Sequence, residues 1–298
     1  MSEKGVLICG HGTRVKRGEE AFLKYTKQVA ALLPEYEVEA GFLELSAPDF
    51  EEGVKRLAQR GVKEIVAVPV FLFTGLHIQK DIPCMLYQLQ AKYKVSIKMA
   101  HYIGDCEEMI HLSNDLIGKA LGDRQVDPEE TLYFGLGVGA SKIAANGDLA
   151  RLTRMVQESN KYAFAINGFC SRMTYPSVAE ALSVCSQLPY KNIVVVPYVF
   201  FPGVYMDKAQ VLFDEFAQRH PDRKVFVAPL LSESDHLAQL LIKRLKSAEE
   251  GEVDLITSVD KETLEHYEPH HHHHHGHGHH HDHDHHDHAK NCCGHHHH

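Results

Sequence analysis

The sequence lacks the features that would direct a chain into or across a membrane. No apolar run reaches the roughly 18 residues that a membrane-spanning helix needs. The opening residues, MSEKGVLICGHGTR, contain only a short apolar stretch of the kind found in a strand, so we expect no secretory signal peptide. Seven cysteines are scattered without pairing spacing, which is typical of reduced thiols. We therefore expect a cytoplasmic protein with no membrane partner.

The sequence also lacks an excess of positive charge. Its formal net charge is −9, which argues against a nucleic-acid-binding protein. The charge is uneven, because residues 251–298 hold nine acidic and two basic residues and leave only −2 on residues 1–250. The nearly neutral part can carry a local basic patch for an acidic ligand. It also has the apolar content of an ordinary globular protein, since 44% of all residues are hydrophobic.

The C-terminal part is a different kind of sequence. Residues 270–298 contain 18 of the 25 histidines, interspersed with aspartate, and show no apolar face. We expect this tail to be disordered and to bind several divalent metal ions, which it would store or deliver. An expression tag is the alternative, because His270–His275 is a run of six histidines. Residues 251–269 are predicted to be an acidic linker.

Residues 1–250 divide into two halves in which apolar strands alternate with amphipathic helices. This order predicts right-handed βαβ units and a parallel sheet in each half. We predict an α/β fold with two similar domains, residues 1–125 and 126–250, related by a pseudo-two-fold axis and followed by the tail at 251–298. Asp81 is predicted to cap the third helix, with Pro83 in its first turn. The predicted strands are Val6–Cys9, Val38–Leu43, Glu64–Phe71, Val95–Tyr102, Leu132–Gly137, Tyr162–Phe169, Ile193–Phe200 and Val225–Pro229.

The two halves can be aligned with each other. IVAVPVFLFTGLH at 65–77 matches IVVVPYVFFPGVY at 193–205 with an offset of 128, and the segment at 10–12 matches 137–139 with an offset of 127. The glycines that shape the loops are kept in both halves. The groups able to bind metal or protons are replaced in the second half: His11 by Val138, Glu44 by Ser171 and His77 by Tyr205. A structural histidine would be retained with its loop, so this loss favours a functional role and one active centre per chain.

These three residues follow the predicted carboxyl ends of three strands. In open parallel α/β sheets that edge binds ligands, so the three side chains can converge there. Two imidazoles and a carboxylate suit a divalent first-row metal such as Co²⁺, Ni²⁺, Fe²⁺ or Zn²⁺. They also suit proton abstraction near neutral pH. Taken singly, each residue has an ordinary alternative, a loop histidine bonded to backbone or a charged strand end. We predict His11, Glu44 and His77 as the catalytic and metal-binding residues.

Three motifs resemble those of the CbiX-type sirohydrochlorin chelatases, class II chelatases that work without ATP. They are LICGHGTR at 7–14, FLEL at 42–45 and PVFLFTGLHIQKDIP at 69–83, and the resemblance to the duplicated long form covers roughly residues 1–245. It implies two chelatase-like domains that insert Co²⁺ or Fe²⁺ into sirohydrochlorin, an eight-carboxylate tetrapyrrole, on the way to cobalamin or sirohaem. It places His11 and His77 at the family's metal-binding histidines and Glu44 at its assisting acid.

The resemblance also bears on cofactors. It implies that no nucleotide is needed and that the divalent metal is a substrate. Some long forms carry a C-terminal Cys-x-x-Cys iron–sulfur motif, but this chain has only the adjacent pair Cys292 and Cys293. Four thiolates normally hold such a cluster, so we do not expect one here.

The acidic rim of such a substrate needs cationic partners at the same edge of the sheets. Arg14 is the preferred one because it is nearest to His11, and Lys80 follows His77. Solvated surface charge is the alternative for each. Gly10, Gly12 and Gly75 are expected to form turns or to allow close approach of the ligand. Further candidate cations are Lys16, Arg17, Lys142, Arg172 and Lys208.

Three other functions are alternatives to cobalt insertion for cobalamin. Iron insertion for sirohaem uses nearly the same ligands, and cobalt is expected because a histidine-rich tail suits cobalt or nickel. A metal-storage protein or metallochaperone would work through the tail, with the α/β part as a scaffold. A phosphatase that uses His11 as phosphoryl acceptor requires an arginine immediately before the histidine, where this chain has Gly10.

Overall fold

Two parallel four-stranded sheets organise the computed structural model, which describes residues 3–268. In the first sheet the strand order is β2-β1-β3-β4, and in the second it is β6-β5-β7-β8. The predicted fold class, two similar α/β halves with parallel sheets, is therefore confirmed, while the tail and the Cys292–Cys293 pair lie outside the described residues. The strands are β1 Lys4–Gly10, β2 Glu37–Phe42, β3 Glu64–Pro69, β4 Ser96–Met99, β5 Thr131–Gly137, β6 Phe164–Phe169, β7 Asn192–Pro197 and β8 Lys224–Val227.

Helices alternate with these strands, as the amphipathic stretches predict. They are α1 Lys16–Ala31, α2 Phe50–Gln59, α3 Ile82–Tyr93, α4 Glu107–Leu121, α5 Ile143–Asn160, α6 Val178–Gln187, α7 Val204–Arg219, α8 Asp235–Glu249 and α9 Lys261–His266. None of the helices within residues 3–268 is both long enough and apolar enough to cross a membrane.

The two halves exchange their last helices. Helix α4 of the first half packs on β7 and β8 of the second sheet, and α8 of the second half packs on β3 and β4 of the first. The two helices also pack on each other. One apolar core therefore runs through both halves, with Val68 and Val194 in the same cluster of buried residues. The chain up to Tyr267 forms one compact unit, so the halves share their stability.

Several strands end earlier than the sequence predicts. Strand β3 ends at Pro69 and β7 at Pro197, but the apolar residues continue into the following loops. Those loop residues are apolar because they pack between the halves: Phe201 lies 5.5 Å from the Phe22 ring of α1, measured between ring centroids. Hydrophobicity alone does not distinguish a buried loop from the end of a buried strand.

The predicted linker is partly folded. Residues Leu255–Ser258 form a short 3₁₀ helix and lead into α9, and both pack against α3. Ile256 and Leu264 are buried there, and the Asp254 carboxylate accepts a hydrogen bond from the backbone N–H of Met99 (3.0 Å). The described fold thus continues past residue 250, because these two apolar side chains complete the core beneath α3.

Asp81 does not cap α3, so that prediction is wrong. A π-helical turn, His77–Asp81, precedes α3 without a break, and Asp81 has helical dihedral angles (φ −63°, ψ −51°) and no capping hydrogen bond. Its carboxylate contacts His77 instead.

Candidate metal centre

His11, Glu44 and His77 lie together at the carboxyl edge of the first sheet. One potential ligand atom from each lies within 4.8 Å of the others. The Nδ1 atom of His11 is 3.7 Å from a Glu44 carboxylate oxygen, and the two imidazole rings meet edge to face with centroids 5.1 Å apart. Their side chains are 47%, 39% and 34% exposed in chain order. The site is therefore open to an incoming ion or substrate.

Backbone hydrogen bonds hold the His11 and Glu44 loops side by side. Beyond the ends of β1 and β2, the N–H of Leu43 donates to Gly10 O (2.9 Å) and that of Glu44 to His11 O (3.1 Å). Gly12 has φ +96°, and a Cβ atom there would lie 1.7 Å from Glu44 O. Only glycine fits both the left-handed backbone and this close approach. Gly12 thus forms a backbone turn, as one of its two predicted roles, and the group that approaches it closely is the Glu44 carbonyl.

The π turn sets the direction of the His77 ring. His77 is its first residue, and the ring Nδ1 lies 2.9 Å from an Asp81 carboxylate oxygen. An ionised carboxylate can only accept, so Nδ1–H donates and the lone pair lies on Nε2, the other ring nitrogen. Neutral imidazole binds metal through such a lone pair. The turn therefore leaves the Nε2 lone pair of His77 free to bind a cation.

Partial desolvation and the neighbouring His77 lower the pKa of His11 below its ordinary value, and the Glu44 carboxylate opposes them. Desolvation is the largest of these effects because the charged imidazolium loses hydration at the loop. The consequence is that His11 is neutral at pH 7, the form that binds a metal or accepts a proton.

The donor set fits a divalent cation. Ligand atoms about 2.1 Å from a tetrahedral ion lie about 3.4 Å from each other. The three ligand atoms lie up to 4.8 Å apart, so small side-chain rotations are needed to bring them around one ion. The side chains are partly exposed and are free to make these rotations. Two nitrogens and one oxygen leave at least one position for water or for a substrate nitrogen, as in catalytic sites.

The second half repeats the backbone of this site without its ligands. The N–H of Cys170 donates to Gly137 O (2.9 Å) and that of Ser171 to Val138 O (2.8 Å), and Gly139 has φ +89°. These are the counterparts of the bonds around His11, which supports the alignment of the two halves. Within residues 3–268 no other group of three potential ligands lies close enough to hold a metal ion.

Comparison with known proteins agrees with this geometry. The CbiX family model matches residues 5–120 and again 134–248. The chain belongs to the CbiX family. The predicted family resemblance is thus confirmed, and the two matches coincide with the two halves of the fold.

Named relatives extend over most of the chain. A sirohydrochlorin cobaltochelatase of Priestia megaterium is 29% identical over 256 residues, which cover 85% of this chain and 82% of the relative. A sirohydrochlorin ferrochelatase of the same organism is 26% identical and covers 81% and 89%. The solved structure of SirB from Bacillus subtilis with Fe³⁺ has a TM-score of 0.74 at 23% identity, covering 86% of this chain and all of that one. The structural likeness supports the fold.

The predicted cations differ in their surroundings. Arg14 and Lys80 are exposed and form no ion pair within residues 3–268. Arg17 forms an ion pair with Asp207 of the second half, so its charge is already compensated. Lys142, Arg172 and Lys208 are exposed at the corresponding edge of the second sheet, and Lys16 is paired with Glu20.

The other two predicted glycines differ in role. Gly10 packs on Phe22, where a Cβ atom would lie 2.8 Å from the ring, so this glycine serves the core. Gly75 has open space around its Cα and lies two residues before the π turn, and its carbonyl accepts from the N–H of Gln79 (2.9 Å). Of the two, only Gly75 leaves room for a ligand.

Exposed apolar residues at the strand ends are not among the site residues predicted from the sequence. Large hydrophobic side chains are normally exposed singly, but here most of them follow the carboxyl ends of strands in both halves. Ile143 is 88% exposed and Tyr175 75%. The only signal in the sequence was the apolar character of residues in predicted loops. The other members are Leu45, Leu76, Met173, Val204 and Tyr205.

Proposed function

We propose that this chain is a metal chelatase that inserts Co²⁺ into sirohydrochlorin, without ATP, for cobalamin biosynthesis. The convergence of His11, Glu44 and His77 at one sheet edge of a CbiX-family chain is the observation that carries the proposal. At the coarser level, the curated relatives are named as sirohydrochlorin chelatases for cobalt or for iron. The choice of cobalt is the finer part of the proposal, supported by the histidine-rich tail.

Insertion replaces two pyrrole N–H protons by one metal ion, so the site has to hold the cation and remove protons. His77 presents Nε2 to the ion, because its Nδ1–H donates to Asp81. His11 is neutral and binds beside it. As the ion moves to the macrocycle, each pyrrole nitrogen releases a proton that Glu44 or the freed His11 accepts and passes to water. The exposure of these side chains gives the protons a path to solvent.

The surroundings of the metal centre suit a large, flat and acidic substrate. The exposed apolar residues of both sheet edges, such as Ile143 and Tyr175, offer contacts for a macrocycle face. Arg14 and Lys80, both exposed, pair with carboxylates at its rim in this proposal. Binding one face of the ring between two edges would favour the bent, metal-accepting geometry.

For the tail we propose metal binding that raises the local supply of the ion. Its 18 histidines are suited to borderline divalent cations. Deleting it should leave insertion intact at high Co²⁺ and slow it at low Co²⁺. If metal content and activity at low Co²⁺ are unchanged by the deletion, this part of the proposal fails.

The direct test mixes the protein with sirohydrochlorin and Co²⁺ and follows the absorption spectrum of the tetrapyrrole. The full chain and a chain ending at Glu268 are compared, because a truncation at residue 250 would remove packed residues such as Leu264. We expect both to accelerate insertion over the uncatalysed rate. Failure of both would refute the chelatase function, and a clear preference for Fe²⁺ would refute the choice of cobalt.

A further inference from the structure

The carboxylate that orients His77 has a second partner, which comes from the far end of the described chain. One oxygen of Asp81 lies 2.9 Å from His77 Nδ1, and the other accepts a hydrogen bond from the Tyr267 hydroxyl, also at 2.9 Å. Asp81 is half-buried in this arrangement. A carboxylate held at both oxygens cannot rotate away from the imidazole without losing a charge-assisted bond.

Several contacts fix Tyr267 in place. Its carbonyl accepts a hydrogen bond from the Gln88 side chain (2.8 Å), and Leu264, three residues earlier, is buried against α3. The burial of the Tyr267 hydroxyl and its bond to Asp81 raise the tyrosine pKa, so the hydroxyl keeps its proton and remains a donor. The family match ends at residue 248, so this segment is an addition to the repeated fold.

The second half lacks this support, as it lacks the ligands. By the offset of 128 that aligns His77 with Tyr205, Asp81 corresponds to Ala209, which is buried. The turn after β7 is also regular, because α7 begins at Val204 without a π turn. The carboxylate, the histidine that it orients and the π turn therefore occur together in the first half, and none of the three recurs in the second.

We propose that Asp81 and Tyr267 are positioning residues of the metal centre, so that the C-terminal segment after the repeat is part of the site. Asp81 selects the tautomer of His77 that leaves Nε2 for the metal, and Tyr267 holds Asp81 in that position. Partners of this kind typically contribute a factor of about 10–100 to metal affinity. The role at the metal rests on the proposed function, whereas the tautomer is a property of the metal-free protein.

The first test measures the tautomer of His77 in the metal-free full chain by ¹⁵N NMR of the imidazole, with His77→Ala identifying the signal. We expect the proton on Nδ1 in the wild type and a shift towards Nε2–H in Asp81→Ala. Asp81→Asn retains an acceptor oxygen and should keep the wild-type tautomer. An Nε2–H wild type, or an Asp81→Ala variant with an unchanged tautomer, would overturn the proposal.

The second test measures insertion kinetics of the full chain with Co²⁺ as the varied substrate. We expect the KM for Co²⁺ to rise by about 10–100-fold in Asp81→Ala and about fivefold in Tyr267→Phe, with the KM for sirohydrochlorin unchanged. Tyr87→Phe removes a hydroxyl from α3 and is the matched control, expected to behave as wild type. Unchanged KM values for Co²⁺ in both variants would overturn the positioning role. If the wild type shows the Nδ1–H tautomer but no insertion, the proposed function fails while the orientation of His77 by Asp81 stands.

Discussion

At the carboxyl edge of the first sheet the loop after β1 presents His11, and at the same place in the second sheet it presents Val138. The backbones there are alike, with the same pair of interstrand hydrogen bonds and a glycine in the left-handed region in each. The side chains differ at every position that can bind a cation. The comparison shows that the loop geometry serves the fold in both halves, whereas the three potential ligands lie in the first half.

The largest expected effect comes from replacing His11 by alanine and comparing it with the same change at its counterpart, Val138. His11→Ala removes a metal ligand and a proton acceptor, and we expect insertion to slow by about 100-fold or more. Val138→Ala alters the corresponding loop residue without a ligand, and the rate should change less than about threefold. Both rates are measured from the sirohydrochlorin spectrum. Equal losses in the two variants would show that the halves contribute alike, against the account.

Replacing the two loop glycines, Gly12 and Gly139, by alanine should lower the free energy of unfolding by different amounts. Alanine at residue 12 would meet the Glu44 carbonyl, a backbone atom that cannot turn aside, and we expect a loss of about 3 kcal/mol in the free energy of unfolding. Alanine at residue 139 would meet the movable Ser171 hydroxyl at 2.7 Å, so the loss should be about 1–2 kcal/mol. Urea denaturation of both variants measures the difference. A larger loss for Gly139→Ala would contradict the contacts described.

Replacing Glu44 and replacing His77 should shift the pKa of His11 in opposite directions. Since Glu44 raises this pKa and His77 lowers it, Glu44→Gln should lower the pKa further and His77→Asn should raise it. Metal binding needs neutral His11, so it is present above this pKa and lost as the pH falls through it. Proton NMR titration of the metal-free chain ending at Glu268 gives the values. If the two shifts had the opposite signs, Glu44 and His77 would not act on His11 in the way that their positions imply.

The smallest effect is expected from an ion pair that joins the two halves. Arg17 and Asp207 are both about half exposed, so water screens their attraction. Arg17→Ala should lower the free energy of unfolding by less than about 1 kcal/mol, no more than Lys16→Ala, which removes a pair within α1. Thermal unfolding measures both. A loss above 2 kcal/mol for Arg17→Ala alone would mean that this pair, rather than the shared core, holds the halves together.

The sequence predicts the part of this structure that is repeated. The strands, their alternation with helices and the convergence of His11, Glu44 and His77 at one sheet edge follow from apolar runs and from glycines at a near-constant offset, because those features have local causes. The exchange of α4 and α8 could not be predicted, since an amphipathic helix carries no mark of which sheet it covers.

The features without a counterpart in the other half could not be predicted from the sequence either. Asp81 looks like a helix cap by its place before Ile82 and Pro83, and only the π turn shows that it faces His77. The docking of α9 depends on two apolar residues, Ile256 and Leu264, in an otherwise acidic stretch. Two apolar residues are too few to distinguish the sequence of this stretch from that of a linker. The sequence therefore predicts the proximity of His11, Glu44 and His77, but not the contacts of Asp81 and Tyr267 beside them.

The most direct measurement is a Co²⁺ titration of the chain ending at Glu268, followed by the ligand-field absorption of the bound ion. We expect one ion per chain with nitrogen ligands, lost in His11→Ala and in His77→Ala and kept in Val138→Ala and Tyr205→Phe. Undiminished binding in the two histidine variants, or a second equivalent lost on changing Val138 or Tyr205, would contradict a single metal centre in the first half.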